Sequence, residues 1–220
     1  MSAKAFLKSR LGPGLCTALS QVRVELKVLA QHRSSTRNAK RLLSSIPVKL
    51  NCGCGPFAKI GWINIDTARS ADLHLDLRRK LPFPDGCASF VYSEHFFEHL
   101  EYPQETGTFL SESIRVLAPG GQFRVGVPDT EWPLNAYVKQ DDAYFSGVRE
   151  RWHPSYCNTR MHNINYHFRQ GTQHKYAYDY ETLAAVLREA GFSRVEKSDY
   201  EPTIDTEHRR IGTLYVNAFK

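Results

Sequence analysis

Four short apolar runs at 48–52, 62–65, 90–93 and 123–127 are separated by turn residues or by a helical stripe, and this alternation limits the folds open to the chain. Runs of four or five residues are too short for helices and suit strands buried on both faces. The stretch 105–117 places Phe109, Leu110, Ile114 and Leu117 on one helical face, and Pro119-Gly120-Gly121 then turns the chain into the next strand. A second helical stretch, 181–190, carries Leu183, Val186 and Leu187 and ends at Gly191, where a left-handed residue belongs. Strand and helix in alternation predict an α/β fold with a mostly parallel sheet covered by helices on both faces.

At 220 residues the chain suits one α/β domain with a sizeable core. The net charge of +6 suggests nucleic acid until it is divided along the chain. Residues 1–49 hold ten Lys/Arg and one acid, Glu25, for +9, whereas the other 171 residues carry −3. A basic groove across the whole domain, the footprint of a nucleic-acid enzyme, is therefore unsupported. We divide the chain into a basic helical leader, 1–45, and a catalytic domain, 46–220. Leu15, Leu19, Val22, Leu26 and Leu29 form a helical stripe in the leader, suited to packing on the domain or to lying on an anionic membrane face. An acid-poor leader also has the composition of a transit peptide. No apolar run approaches the roughly 18 residues of a membrane span. Five cysteines, an odd number, do not form a disulfide framework and point to a reducing, cytoplasmic compartment.

The run Lys49-Leu50-Asn51-Cys52-Gly53-Cys54-Gly55 has the form of a first strand and glycine loop, in which a ligand can approach backbone that lacks a Cβ. A tight structural turn would read the same way. The second strand ends in Asp66, placed to accept hydrogen bonds from both hydroxyls of a ribose. Asp66 comes only eleven residues after Gly55, against about twenty in dinucleotide-binding dehydrogenases. That spacing, and the missing third glycine, argue against a nicotinamide cofactor.

The strings LNCGCGPFAKIGWINID, ADLHLDLRRKLPFPDG, VYSEHFFEHL and RVLAPGGQFRVGVPD, followed by KYAYDYETLAAVLREAGF, resemble predicted S-adenosylmethionine-dependent methyltransferases of the methyltransferase-domain 11-like type. Many members of that family are bacterial, and several sit among surface-polysaccharide genes. The resemblance implies a Rossmann-like class I fold with a mostly parallel seven-stranded sheet, and the cofactor over the edges of the first, second and fourth strands. By position it implies that Gly53 and Gly55 line the methionine and ribose side, and that Asn51 stands where an acid usually meets the cofactor's amino group. Asp66 would hold the ribose, Asp76 and Leu77 would meet the adenine, and Ser93 and His95 would lie beside the reactive methyl. Phe57 replaces a small loop residue, Asn51 lacks the usual charge and Ser89 replaces an Asp, so this sequence departs from the family pattern at three points.

His95-Phe96-Phe97-Glu98-His99 matches the H-x-x-E-H pattern of some zinc proteases. Its place at a strand end, with no third ligand evident, argues for a loop and helix start instead, and no metal is expected. Residues 141–180 read as a substrate lid rich in histidines and aromatics, suited to stacking on a sugar, or as a mainly structural cover. His95 and His174 are the candidates for taking a proton from an acceptor. The expected function is methyl transfer to an oxygen or nitrogen of a small molecule or glycan. A non-catalytic binding module and an RNA methyltransferase anchored by the leader are the alternatives.

Overall fold

The computed structural model describes residues 12–43 and 47–220. Of the leader expected over 1–45, residues 1–11 and 44–45 lie outside the described residues. Strands β1 (Val48–Cys52), β2 (Ile63–Ile65), β3 (Ala88–Glu94) and β4 (Leu117–Pro128) pair in parallel. Strands β5 (Arg194–Ser198) and β6 (Thr213–Phe219) follow, with β6 antiparallel to both β4 and β5. The spatial order is β2-β1-β3-β4-β6-β5. Leu50, Ile65, Val91, Phe123 and Val125 are fully buried at the centre. Helices α2 (Gln104–Val116) and α6 (Tyr180–Glu189) bury Phe109, Leu110, Leu183 and Leu187 against the sheet.

The α/β class is as the sequence implies, but the expected seven-stranded sheet has six strands among the described residues. Between β2 and β3 only one bridge forms, Ile65 to Leu73. The next amides turn away to helix α1 (Pro13–Ala39): His74 donates to Ser35 Oγ at 2.9 Å, and Asp76 donates to His32 Nδ1 at 3.1 Å. An edge whose N–H groups are taken by side chains cannot extend the ladder.

The same bonds dock α1 on the domain. Its apolar stripe does not make that contact, since Leu15, Leu19, Val22 and Leu26 are all exposed. The docked face presents Glu25, His32, Ser35 and Ala39 instead. Among the described residues no helix is long and apolar enough to cross a membrane.

The short joint between β1 and β2 forms no helix. A buried amide network closes it: Asn51 Nδ2 donates to Phe57 O and to Asn64 Oδ1, and Asn64 Oδ1 also accepts from Lys59 N at 2.7 Å. The lid contains α4 (Asp142–Arg151) and α5 (Arg160–Arg169), and the preceding α3 (Glu131–Val138) packs with them around Ala136, Tyr144, Phe145 and Val148. Asp141, Thr159 and Asp179 cap the starts of α4, α5 and α6 by accepting from Tyr144, His162 and Thr182 amides.

Candidate active site

Two cavities open at the carboxyl ends of the parallel strands, and His99 lines both. The first, about 460 Å³, is bounded by Asp66, Leu75–Arg78, Phe96 and Leu100, with Gln21, Val24, Glu25 and Val28 of α1 as an outer wall. The second, about 430 Å³, lies under the lid and is lined by Trp132, Tyr144, Trp152, His153, Tyr166, His174 and Arg209. Both volumes fall within the roughly 300–1,000 Å³ of small-molecule pockets.

Asp66, Asp76 and Leu77 therefore lie together at the first cavity. Asp66 Oδ2 accepts from Gly55 N and Oδ1 accepts from Ala68 N, both at 2.9 Å, tying the glycine loop to β2. Thr67 Oγ1 lies a further 3.5 Å from Oδ1, and a carboxylate has about four lone-pair sites, so Asp66 keeps room for a hydroxyl. Asp76 accepts from Arg78 Nε at 2.9 Å and Arg79 Nε at 3.1 Å. Burial raises its proton affinity, but the Arg78 and Arg79 bonds outweigh that and hold it below the usual carboxylate value. Arg78 also reaches Glu25 of α1 at 2.7 Å, so one guanidinium joins Asp76 to the helix.

The glycine loop lies behind this cavity. Gly53 has φ +72°, and a Cβ there would come within 2.3 Å of Phe96 Cγ, so the Phe96 ring packs where any other side chain would stand. Gly55 has φ +50°. Asn51, Gly53, Gly55 and Ser93 line neither cavity. Asn51 is turned into the amide network rather than toward a ligand, and Ser93 is fully buried with no partner for its hydroxyl.

His95 and His174, far apart in sequence, meet at the second cavity around Glu98. His95 has φ +52°, a left-handed backbone held by its N–H bond to Gly126 O at 2.8 Å. Strain of this kind gathers at functional sites. Glu98 O accepts from Lys175 N at 2.7 Å, which brings the segment after the lid beside the loop after β3. Burial pushes the Glu98 carboxyl up to about 8. Burial, with the Arg209 charge next in effect, holds His95 well below the ordinary imidazole value, and burial lowers His99 and His174.

Sequence reasoning assigned Glu98 and His99 only to a helix start. They form a one-turn 3-10 helix, Phe97–His99, at the centre of the site, and the H-x-x-E-H spacing was the signal for them. It also missed Arg209, which donates to Glu94 O at 2.7 Å and overhangs the second cavity.

A methyltransferase-domain family model matches residues 50–125, from β1 into β4. Among solved structures the chain is similar to an S-adenosylmethionine-dependent methyltransferase from Archaeoglobus fulgidus, at 17% identity and a TM-score of 0.50, over 88% of this chain and 94% of that one. It is also similar to one from Thermotoga maritima, described as a possible histamine N-methyltransferase, at 16% identity and a TM-score of 0.46, over 92% and 96%. No curated protein matches by sequence.

The strand order and the loop geometry give the chain a Rossmann-like α/β fold, and residues 50–125 of it match a methyltransferase domain.

Proposed function

We propose that the protein methylates an oxygen or nitrogen of a small molecule or glycan held in the cavity under the lid. The observation that carries this reading is the pair of adjoining cavities sharing His99: one is lined by Asp66 and Asp76, and the other is walled by aromatics and histidines. S-adenosylmethionine supplies a methyl group already activated on a sulfonium sulfur. The protein's task is to hold the acceptor in line with it at near-contact distance.

In this reading Asp66 receives the ribose hydroxyls, and Asp76 with the Leu77 amide flanks the adenine. Gly53 and Gly55 hold the loop open, and Asn51 and Ser93 brace it from behind. Trp132, Trp152 and Tyr166 offer faces to a sugar or other planar group. A hydroxyl acceptor must lose a proton, and His95 and His174 are the nearest candidates to help. His153 is a third: its Nδ1 is 2.7 Å from Asn163 Oδ1, and Asn163 Nδ2 donates to Cys157 O and Thr159 O. The amide oxygen therefore accepts from Nδ1–H, leaving His153 Nε2 with a lone pair.

A cytoplasmic location belongs to the same proposal, supported by the buried thiols of Cys52, Cys54, Cys87 and Cys157. So does peripheral membrane contact through α1, supported by its exposed Leu15, Leu19, Val22 and Leu26 on a basic segment.

The test is incubation with methyl-labelled cofactor and fractionated small-molecule and glycan extracts. Label should enter a low-molecular-weight or glycan fraction, and replacing Trp152 by Ala should raise the acceptor KM with little effect on cofactor affinity. Label confined to RNA or protein would refute the acceptor class.

A further inference from the structure

Glu98 is 2% exposed, yet neither of its carboxylate oxygens has a hydrogen-bond partner. A buried carboxylate left in that state is costly unless something pairs with it. Three imidazole nitrogens face Oε1: His95 Nδ1 at 3.6 Å, His99 Nε2 at 3.8 Å and His174 Nε2 at 4.0 Å. All three distances are too long for hydrogen bonds.

The far side of each ring fixes which nitrogen carries the proton. His99 Nδ1 lies 3.1 Å from Gln173 O, and His174 Nδ1 lies 2.9 Å from His167 O. A carbonyl only accepts, so both Nδ1 atoms carry hydrogen and both Nε2 atoms present lone pairs. His95 Nε2 lies 2.8 Å from Thr213 Oγ1, whose own hydrogen is given to Arg209 O at 2.6 Å. His95 Nε2 is therefore the donor, and its Nδ1 also presents a lone pair. Three nitrogen lone pairs thus face one carboxyl oxygen with no ring N–H among them.

We propose that this cluster is a binding site for a divalent first-row transition-metal ion such as Zn²⁺ or Co²⁺, with Glu98, His99 and His174 as ligands. Ligand atoms of Glu98, His99 and His174 lie within 4.8 Å of one another. Tetrahedral ligands at about 2.0–2.1 Å from zinc stand roughly 3.3–3.5 Å apart, so small side-chain adjustments close the site. Imidazole with one carboxylate suits these ions over magnesium or calcium. The opposite-side bonds to Gln173 O and His167 O are the outer supports that metal-ligating histidines ordinarily have. Both Glu98 and the histidines line the cavity under the lid, so an open coordination position there would take an acceptor oxygen. That role rests on the proposed acceptor pocket. With His174 then occupied as a ligand, a hydroxyl held by the ion would release its proton to His95 or to water, and its oxygen would form the C–O bond as the methyl–sulfur bond breaks.

The test uses tag-free, chelator-treated full-length protein titrated with Co²⁺, followed by visible absorption and then displaced with Zn²⁺. The expected result is one equivalent per chain, with affinity reduced at least about 10-fold in Glu98→Gln and in His174→Asn and unchanged in His162→Asn, an exposed lid histidine. Absence of stoichiometric Co²⁺ or Zn²⁺ binding by the parent overturns the proposal without need of any variant. Binding that survives both Glu98→Gln and His174→Asn overturns it too. S-adenosylhomocysteine binding, measured on the same samples, separates the two readings: retained without metal binding, only the metal site fails. Metal uptake with no methyl transfer to any small acceptor would leave the site standing and remove the proposed function.

Discussion

Replacing Arg124 by Met tests how the acceptor side of the site is held. Arg124 is 2% exposed on β4, and its guanidinium donates to Asp205 through both Nε and Nη2. It also donates to Ser198 Oγ and Asn217 Oδ1 at 2.9 Å and to Asp199 O at 2.8 Å. Met fills much of the volume but leaves the fully buried Asp205 carboxylate with only the Glu201 amide at 2.7 Å. Removing one partner of a buried ion pair costs about 3–5 kcal/mol. For a chain of this length that is roughly 6–20 °C in melting temperature. The loop 199–209 carries Thr206, bonded to Glu94, and Arg209 at the cavity. Acceptor KM should therefore rise as well. Most of the cost comes from a stranded charge, so adding Asp205→Asn to Arg124→Met should recover at least about 1 kcal/mol. Denaturant and thermal melts of the two single variants and the double variant measure this. An Arg124→Met protein within about 1 kcal/mol of the parent, or a double variant less stable than Arg124→Met alone, would show the reasoning to be wrong.

Other expectations concern the cofactor side. Asp66→Ala should weaken S-adenosylhomocysteine binding roughly 10- to 150-fold by calorimetry, the loss expected for hydrogen bonds to a charged acceptor; parent-like affinity would remove Asp66 from the ribose. Gly53→Ala should destabilise the fold by about 1–2 kcal/mol for a left-handed alanine, with about 1–3 kcal/mol more for the contact with Phe96, read as a lowered melting temperature. Deleting residues 1–40 should leave the sheet folded by circular dichroism yet reduce cofactor affinity, because α1 walls that cavity; unchanged affinity would make the helix a bystander. Docking of α1 should also weaken in acid. His32 Nδ1 must be unprotonated to accept from Asp76 N, and burial, the largest influence, lowers His32 below 6.5. This contribution is complete above pH 6.5 and is lost as pH falls through the lowered value, which limited proteolysis of α1 at pH 7.5 and pH 5 would detect.

The sequence alone determined the elements that a local pattern can encode. Apolar runs of strand length, the α2 and α6 stripes, and the glycines before Asp66 depend on residues near one another in the chain. These were enough for an α/β fold and the order of its cofactor loop. Strands β5 and β6 escaped notice. β5 is an edge strand with mostly exposed side chains and no apolar run, and β6 is recognisable only once it pairs antiparallel with β4. The docked face of α1 was not legible in its apolar stripe, because docking is made largely by polar contacts from Glu25, His32 and Ser35 to backbone and arginine groups that no periodicity reports. Asn51, placed against the cofactor by its position in the motif, is instead taken by an amide network that replaces a helix in the shortened joint. Only tertiary structure decided the chemistry around Glu98. His95 and His99 lie near it in the chain, but His174 arrives from beyond the lid. The proton placement depends on Gln173 O, His167 O and Thr213 Oγ1, acceptors supplied by distant segments. A tautomer is set by what stands behind the ring, and that partner is known only when the chain has folded.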